Sequence, residues 1–140
     1  TISDDTGIEI QALEGKPGIH SHRYAVAKAG QSQDEANNKK LLEELKGVPE
    51  AKRIARFVCT IVFLVEGIAL KAEGVLEGKI LDAPRGDKGF GYDSLFVPNG
   101  SQSTLAEMTM AEKNKISHRA KAIANLMNQI KEKKIELVRP

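Results

Sequence analysis

The chain has 140 residues, 21 basic against 19 acidic side chains for a net charge of +2, and an apolar fraction of 41%. That fits one ordinary domain with length enough for a real core. The charge balance gives no argument for a nucleic-acid partner, no apolar run reaches membrane-spanning length, and the single cysteine, Cys59, excludes a disulfide scaffold. Residues 1–15 hold four acidic groups and no basic one, unlike a signal peptide, so the expected compartment is the cytoplasm.

Thr6–Leu13 alternates Ile8, Ile10 and then Leu13 with polar neighbours and reads as a short strand, closed by Gly15, Pro17 and Gly18. Ser32-Gln33-Asp34-Glu35 is a capping-box pattern, and it predicts a helix from about Gln33 to Lys46 that turns Leu41, Leu42 and Leu45 inward and stops at Gly47. Arg53–Glu66 is rich in β-branched and aromatic residues at both parities, which predicts a central strand buried on both faces. Gly67 turns it into an antiparallel partner over Ile68–Leu81, expected to be bulged or bent at Gly74 and Gly78. A glycine-rich loop follows, then a short strand at Leu95–Pro98. Thr104–Glu107 and Thr109–Glu112 both fit capping boxes. A long helix is predicted from Ser117 to about Lys134, with Ile116, Ala120, Ile123, Ala124, Met127 and Ile130 as its apolar stripe. The Lys-rich stretch Lys131–Lys134 reads as its solvated end. The order of elements gives a layered α/β or α+β domain.

Three stretches carry candidate chemistry. Asp4 and Asp5 stand side by side before the first predicted strand. Two carboxylates can share a divalent cation with phosphate oxygens, as Mg²⁺ prefers, or one can orient a water; a solvated acidic turn or a cap is the plain alternative. In Gly86–Pro98, glycines alternate with Phe90, Tyr92 and Asp93, and three of the six aromatic residues fall within seven positions. Glycine lets the backbone approach a ligand closely, so the stretch fits a platform for a flat, polar-edged molecule such as a purine, or a simple turn into a strand. In Lys113–Arg119, Ser117 fits an N-cap and places His118 and Arg119 in a first helical turn, where the dipole disfavours cations. That points to an anionic or acceptor-rich partner, against an ordinary helix start. His20 and His22 share a face on an extended segment but lack further ligands for zinc. Cys59 reads as core. There is no P-loop and no dinucleotide fingerprint.

Together, DDTGIEIQALEGKPGIHSHRYA, PRGDKGFGYDSLFVP and AEMTMAEKNKISHRAKAI, in this order and spacing, resemble the inosine triphosphate pyrophosphatase family along nearly the whole chain. The resemblance implies a mixed, strongly bent sheet flanked by helices in a single domain over residues 1–140, usually a homodimer. It implies Mg²⁺-dependent hydrolysis of ITP, dITP and XTP to the monophosphate and pyrophosphate. By motif match, Asp5 is the general base or metal-bound carboxylate, with Asp4 beside it in the metal shell. Lys113 contacts the phosphates or the nucleotide, Phe90 stacks on the purine, and Tyr92, Asp93, Ser117, His118 and Arg119 line the base pocket. Thr6 stands where the family usually has Ser and joins the substrate-binding set, and Arg23 falls near the active site or a dimer contact. Leu105 and Ser94 replace the usual Phe and Pro. The family also has, ahead of the acid pair, a strand, a phosphate-binding S/T-x-x-N-x-x-K-type loop and a metal-binding Glu. None of these precedes Thr1, so the domain is expected to be incomplete at its N-terminus. The alternative expectation is a non-catalytic member that binds purine nucleotide or serves as a dimeric, structural partner. No nucleic acid and no membrane partner is expected.

Overall fold

The structure, a computed structural model, describes residues 2–138, with side chains through residue 132. Five strands form one sheet in the order β2-β1-β3-β4-β5: β1 at Ile2–Ile10, β2 at Lys16–Pro17, β3 at Ile54–Val65, β4 at Ile68–Ile80 and β5 at Phe96–Pro98. Helices α1 (Gln33–Glu44), α2 (Met110–Ile116) and α3 (His118–Val138) complete it. The α/β reading holds. Every described pairing is antiparallel, so the mixed character implied by the resemblance is not expressed among the described strands.

The expected hairpin forms: β3 and β4 pair from Ile54↔Lys79 to Val65↔Ile68, joined by Glu66 and Gly67, both at positive φ (45° and 79°), the geometry that suits a two-residue hairpin turn. The first strand differs from expectation. It starts at Ile2 and ends at Ile10, and residues 11–13 form a 3₁₀ turn, so Asp4 and Asp5 lie inside the strand rather than before it. Their pairing with Ile61 and Thr60 of β3 is what extends it. No bulge occurs at Gly74 or Gly78, because the register runs unbroken through Cys59↔Gly74 and Ala55↔Gly78. These glycines serve close approach. A Cβ on Gly74 would overlap the carbonyl oxygen of His118 and the amide nitrogen of Ala122, and one on Gly78 would strike Val97 and the Phe96 ring.

Residues directly opposite in an antiparallel pair share a face. Ile8, Ile10, Ala55, Phe57 and Leu76 thus lie on one face and pack with Leu41 of α1, with Leu45 just after it, and with Leu95 and Phe96. Further along the same face, Cys59, Ile61, Leu70 and Ala72 pack against Ala122 and Leu126 of α3. The other parity of β3 stays half-buried or exposed, from Ile54 through Val58 and Val62 to Leu64. Burial on both faces is therefore not seen along β3; the 3₁₀ turn over residues 18–23 approaches that side of the sheet at Gly7 of β1. The apolar stripe of α3 is also shifted. Ala122 and Leu126 are buried while Ile123 and Met127 are exposed, because the close contact at Gly74 turns the 118/122/126 face, not the more apolar 123/127 face, toward the sheet. Side chains of the 131–134 stretch are exposed as far as Glu132, and the last two lie outside the described ones.

The local signals at helix starts hold. Ser32 accepts from the Glu35 amide at 3.1 Å, and Thr104 and Thr109 both close full capping boxes. Helix α1 ends at Glu44, two residues before the predicted last residue Lys46, and the buried Arg53 donates to the carbonyls of Leu45, Val48 and Leu81. It thereby satisfies acceptors left over at the helix end.

Because the clash at Gly74 is with backbone, relief requires α3 to move. Gly74→Ala is expected to destabilise the fold by about 2 kcal/mol, read as a lower urea midpoint with an unchanged m-value.

Candidate active site

A cavity of about 600 Å³ opens where the outer edge of β1, the glycine-rich loop and the start of α3 meet. Beyond Glu9 that edge of β1 has no strand partner among the described residues, so the cavity reaches both sides of the strand. Asp4, Asp5, Thr6, Phe90, Tyr92, Asp93, Lys113, Ser117, His118 and Arg119 all line it. Residues separated by more than a hundred positions in sequence are thus brought to one place. A second cavity of about 610 Å³, between β4, the loop after β5 and α2, contains none of these ten and mixes Glu77 and Glu112 with Lys115 and Lys121.

The acid pair is divided by the strand. Alternation sends adjacent side chains to opposite faces. Asp4 shares the core face with Thr6 and Ile8, and its Oδ2 lies 2.8 Å from the Arg119 guanidinium. Asp5 lies on the other face, exposed, and its carboxylate has no hydrogen-bond or ion-pair partner among the described residues. The sequence reading placed the two together in one metal shell; the structure places them on separate faces. Among the described residues no group of three or more His, Cys, Asp or Glu side chains is arranged to hold a metal. Mg²⁺ commonly takes one or two carboxylates and completes its shell with water and phosphate oxygens, so the unpartnered Asp5 fits that demand as a single protein ligand.

The aromatic loop divides its residues between exposure and support. Phe90 is 73% exposed. Tyr92 is buried, and its hydroxyl donates to the Ser21 carbonyl at 2.6 Å; burial raises its phenol above the ordinary value. Its ring forms a wall, and its polar end is spent on the core. Asp93 Oδ2 accepts from Lys113 Nζ at 2.7 Å and from the Phe90 amide at 3.1 Å. The carboxylate lies so close to Gly89 that any Cβ there would strike it. Lys113 Nζ also sits 5.2 Å from the Phe90 ring centroid, a cation–π distance. Asp93 and Lys113 therefore form one largely buried pair that anchors the loop to α2.

At the start of α3, Ser117 Oγ accepts from the Ala120 amide at 2.9 Å, the predicted cap. The His118 ring stacks on Phe57 at 5.0 Å and 15°, and its Nδ1 is buried without a partner. Burial pushes the imidazole down to about 4, with Lys113, Lys121 and Arg119 acting in the same direction and Asp93 opposing. His118 is then neutral near pH 7, with one donor and one acceptor nitrogen.

Ser21, Asp34 and Asn37 also line the cavity and were not singled out by sequence. Ser21 Oγ accepts from the Ile8 amide at 2.8 Å and donates to Gly18 O at 2.6 Å, while its carbonyl also accepts from Asn37 at 3.2 Å. No local motif marks such a hub, because apart from Gly18 its partners lie 13 to 71 residues away. Residues 18–23 form a 3₁₀ turn, so His20 and His22 do not share a face as they would on an extended segment. His22 reaches the cavity wall, Arg23 is exposed outside it, and Cys59 is core.

A family model described as the Ham1 family matches residues 1–129. The chain belongs to the Ham1 family. It is 52% identical over 132 residues to a dITP/XTP pyrophosphatase of Lactiplantibacillus plantarum, covering 94% of this chain and 63% of that protein. It is 47% identical over 126 residues to the Bacillus subtilis protein of the same name, covering 89% and 62%. The structure of the Staphylococcus aureus Ham1 protein superposes with a TM-score of 0.85 at 38% identity, covering 94% of this chain and 67% of that one. A nucleoside-triphosphatase, dITP/XTP pyrophosphatase, from Mycobacterium abscessus gives 0.76 at 39%, covering 88% and 62%. The chain thus spans a little under two thirds of the curated Ham1 relatives it matches.

The depressed His118 predicts a pH effect with a definite sign. Between about pH 4 in the fold and 6.5, the ordinary value, the unfolded chain binds a proton that the folded chain does not. Stability is therefore whole above that window and is lost as pH falls through it. Chemical denaturation at pH 7 and pH 4.5 is expected to show about 1–2 kcal/mol more acid loss in the wild type than in His118→Asn, after allowing for solvent screening. The carboxylates are common to both proteins, so the difference isolates His118.

Proposed function

We propose that this protein hydrolyses non-standard purine nucleoside triphosphates, ITP, dITP and XTP, to the monophosphate and pyrophosphate, with Mg²⁺ as cofactor. The observation that carries the reading is the cavity that gathers an exposed aromatic ring, a neutral imidazole, a guanidinium and an unpartnered carboxylate. The names of the relatives, dITP/XTP pyrophosphatase, support it.

In this reading Phe90 stacks on the purine face. The His118 imidazole in the cavity wall and the Arg119 fork face its edge. Inosine and xanthine present an acceptor O6 beside a donor N1–H, and adenine presents the reverse. A donor held at the O6 position leaves adenine donor against donor, and a site with unpaired buried polar groups can discriminate by roughly 10⁴-fold. Asp4 keeps Arg119 extended toward the cavity. Lys113, neutralised by Asp93 when no ligand is bound, offers its remaining N–H groups to the nucleotide, and Thr6 offers a hydroxyl on the face it shares with Asp4. Asp5 orients the water that attacks the α-phosphate and accepts its proton, the Pα–O bond to the pyrophosphate breaks, and pyrophosphate leaves. Asp5 is the residue that would hold Mg²⁺, which when bound would supply charge neutralisation for the triphosphate. We place the protein in the cytoplasm as a homodimer; no helix among the described residues is long and apolar enough to cross a membrane.

A second reading, purine nucleotide binding without hydrolysis, rests on the uneven build of the site. The base side has many groups, and the acid side has one unpartnered carboxylate. Pyrophosphate release from ITP decides between them. The expected result is Mg²⁺-dependent release with ATP turned over at least about 10³-fold less efficiently, loss of release in Asp5→Asn, and a KM raised by about tenfold or more in Phe90→Ala. ITP binding without release by the wild type establishes the second reading. Equal turnover of ATP and ITP overturns both.

A further inference from the structure

The exposure of Phe90 poses a physical problem. Its loop contains Gly86, Gly89 and Gly91, all at positive φ of 90°, 85° and 60°. Glycines have the most backbone freedom to lose on ordering. A ring held only by such a loop would sample many orientations, whereas a stacking platform works best when its orientation is set before the ligand arrives. Asp93 supplies one restraint through the Phe90 amide. The other comes from across the cavity, from α1. Asp34 Oδ2 accepts from the Gly91 amide at 2.9 Å. One helical turn further on, Asn38 Nδ2 donates to the Gly91 carbonyl at 3.1 Å. An i,i+4 pair on one helix face thereby grips both polar groups of the residue that follows Phe90.

The geometry points to Asp34 and Asn38 as positioning residues that hold the Phe90 loop in its purine-stacking orientation. This rests on the purine reading above, and it adds to that reading a device on an element outside the three stretches that carry the candidate chemistry. Ordinary helix-start chemistry does not account for it. An acid in the first turn of α1 is favoured by the dipole alone, yet Asp34 bonds an amide 57 residues away. Asn38 sits inside the helix, where asparagine is a poor helix former. Its Oδ1 is buried without a partner, a cost to stability that helix formation does not require. Both side chains act through Gly91 and touch none of the proposed reacting atoms. The Ser32 cap fixes the first turn of α1 and with it the aim of Asp34.

The test uses the 140-residue chain with IMP, which carries the base and cannot be hydrolysed to pyrophosphate, and with inorganic triphosphate, which has no base. Amide hydrogen exchange reads the loop without any ligand. In the double variant Asp34→Ala/Asn38→Ala, exchange at the Gly91 amide is expected to accelerate on the order of tenfold or more. IMP is expected to bind on the order of tenfold more weakly, while triphosphate affinity and the exchange of core amides in β3 and β4 stay at wild-type levels. Asp34→Asn keeps an acceptor oxygen and is expected to restore both Gly91 protection and IMP affinity. Wild-type exchange at Gly91 in the double variant overturns the inference. So does equal IMP affinity in the variant and a wild type that binds, which leaves the purine reading standing. A wild type that fails to bind IMP while its Gly91 amide is protected overturns the purine reading and, with it, the purpose assigned to the grip.

Discussion

The backbone of α3 lies against the backbone of β4 at Gly74, with no side chain between them. That contact fixes where the first turn of the helix can sit. With His118 O and Ala122 N above Gly74, the His118 ring lies over Phe57, which also lines the cavity, and it stacks there. The next residue, Arg119, then projects past the sheet toward β1 and meets Asp4. Ala122 and Leu126 follow down the same face onto Cys59, Ile61 and Ala72. One missing Cβ thus sets the helix phase, the burial that keeps His118 neutral, and the reach of the guanidinium. A larger residue there would not merely crowd the core; it would re-aim the two side chains that face the cavity.

Polar groups buried near the cavity bond to one another, and this ties together the side of the site that would read a base. Ser21 binds β1 through the Ile8 amide and binds the aromatic loop through the Tyr92 hydroxyl. Asp93 binds the same loop to α2 through Lys113. Each of these groups would cost about 1–3 kcal/mol if left buried and unpaired, so the network constrains geometry more than it adds net stability. The exceptions are informative. His118 Nδ1 and Asn38 Oδ1 are buried without partners, and both belong to side chains that approach the ligand or hold the loop that does.

How much of this was legible in the sequence depends on the range of the interaction that decides each feature. Ser32, Thr104, Thr109 and Ser117 cap elements through amides three residues away, and their motifs state as much. The β3–β4 hairpin is equally local. The start of β1 was not legible, because strand residues 2–5 (Ile-Ser-Asp-Asp) carry little intrinsic preference for strand and are recruited by pairing with Thr60–Phe63. The phase of α3 was misread because Ile123 and Met127 are more apolar than Ala122 and His118, and only the close contact at Gly74 overrides hydrophobicity. The apolar residues on the second face of β3 suggested a covering layer that the described residues do not supply. At the site, the three motifs named ten residues that line the cavity. Asp34, Asn37 and Ser21 carry no motif, since a single acid, amide or hydroxyl acquires meaning only from partners brought near by the fold.

The same limit applies to the acid pair, and there it bears on mechanism. Read as a dipeptide, Asp4-Asp5 is a doubled charge, and doubled charge suggests one shared cation. Read in an extended strand, it is two single charges that point to opposite faces. Asp4 meets a guanidinium that balances it, which removes like-charge repulsion as a reason for a metal at that carboxylate. Asp5 keeps its charge toward the unpaired edge of the strand. On the proposed reading this division separates two tasks that would otherwise interfere. A carboxylate that orients Arg119 for base recognition is best kept permanently paired, whereas one that takes a proton from water or meets a phosphate-bound cation must stay free of fixed partners. The strand's alternation achieves that separation with two identical residues in adjacent positions, and it brings the recognition and reaction ends of the cavity to within a single peptide bond of each other.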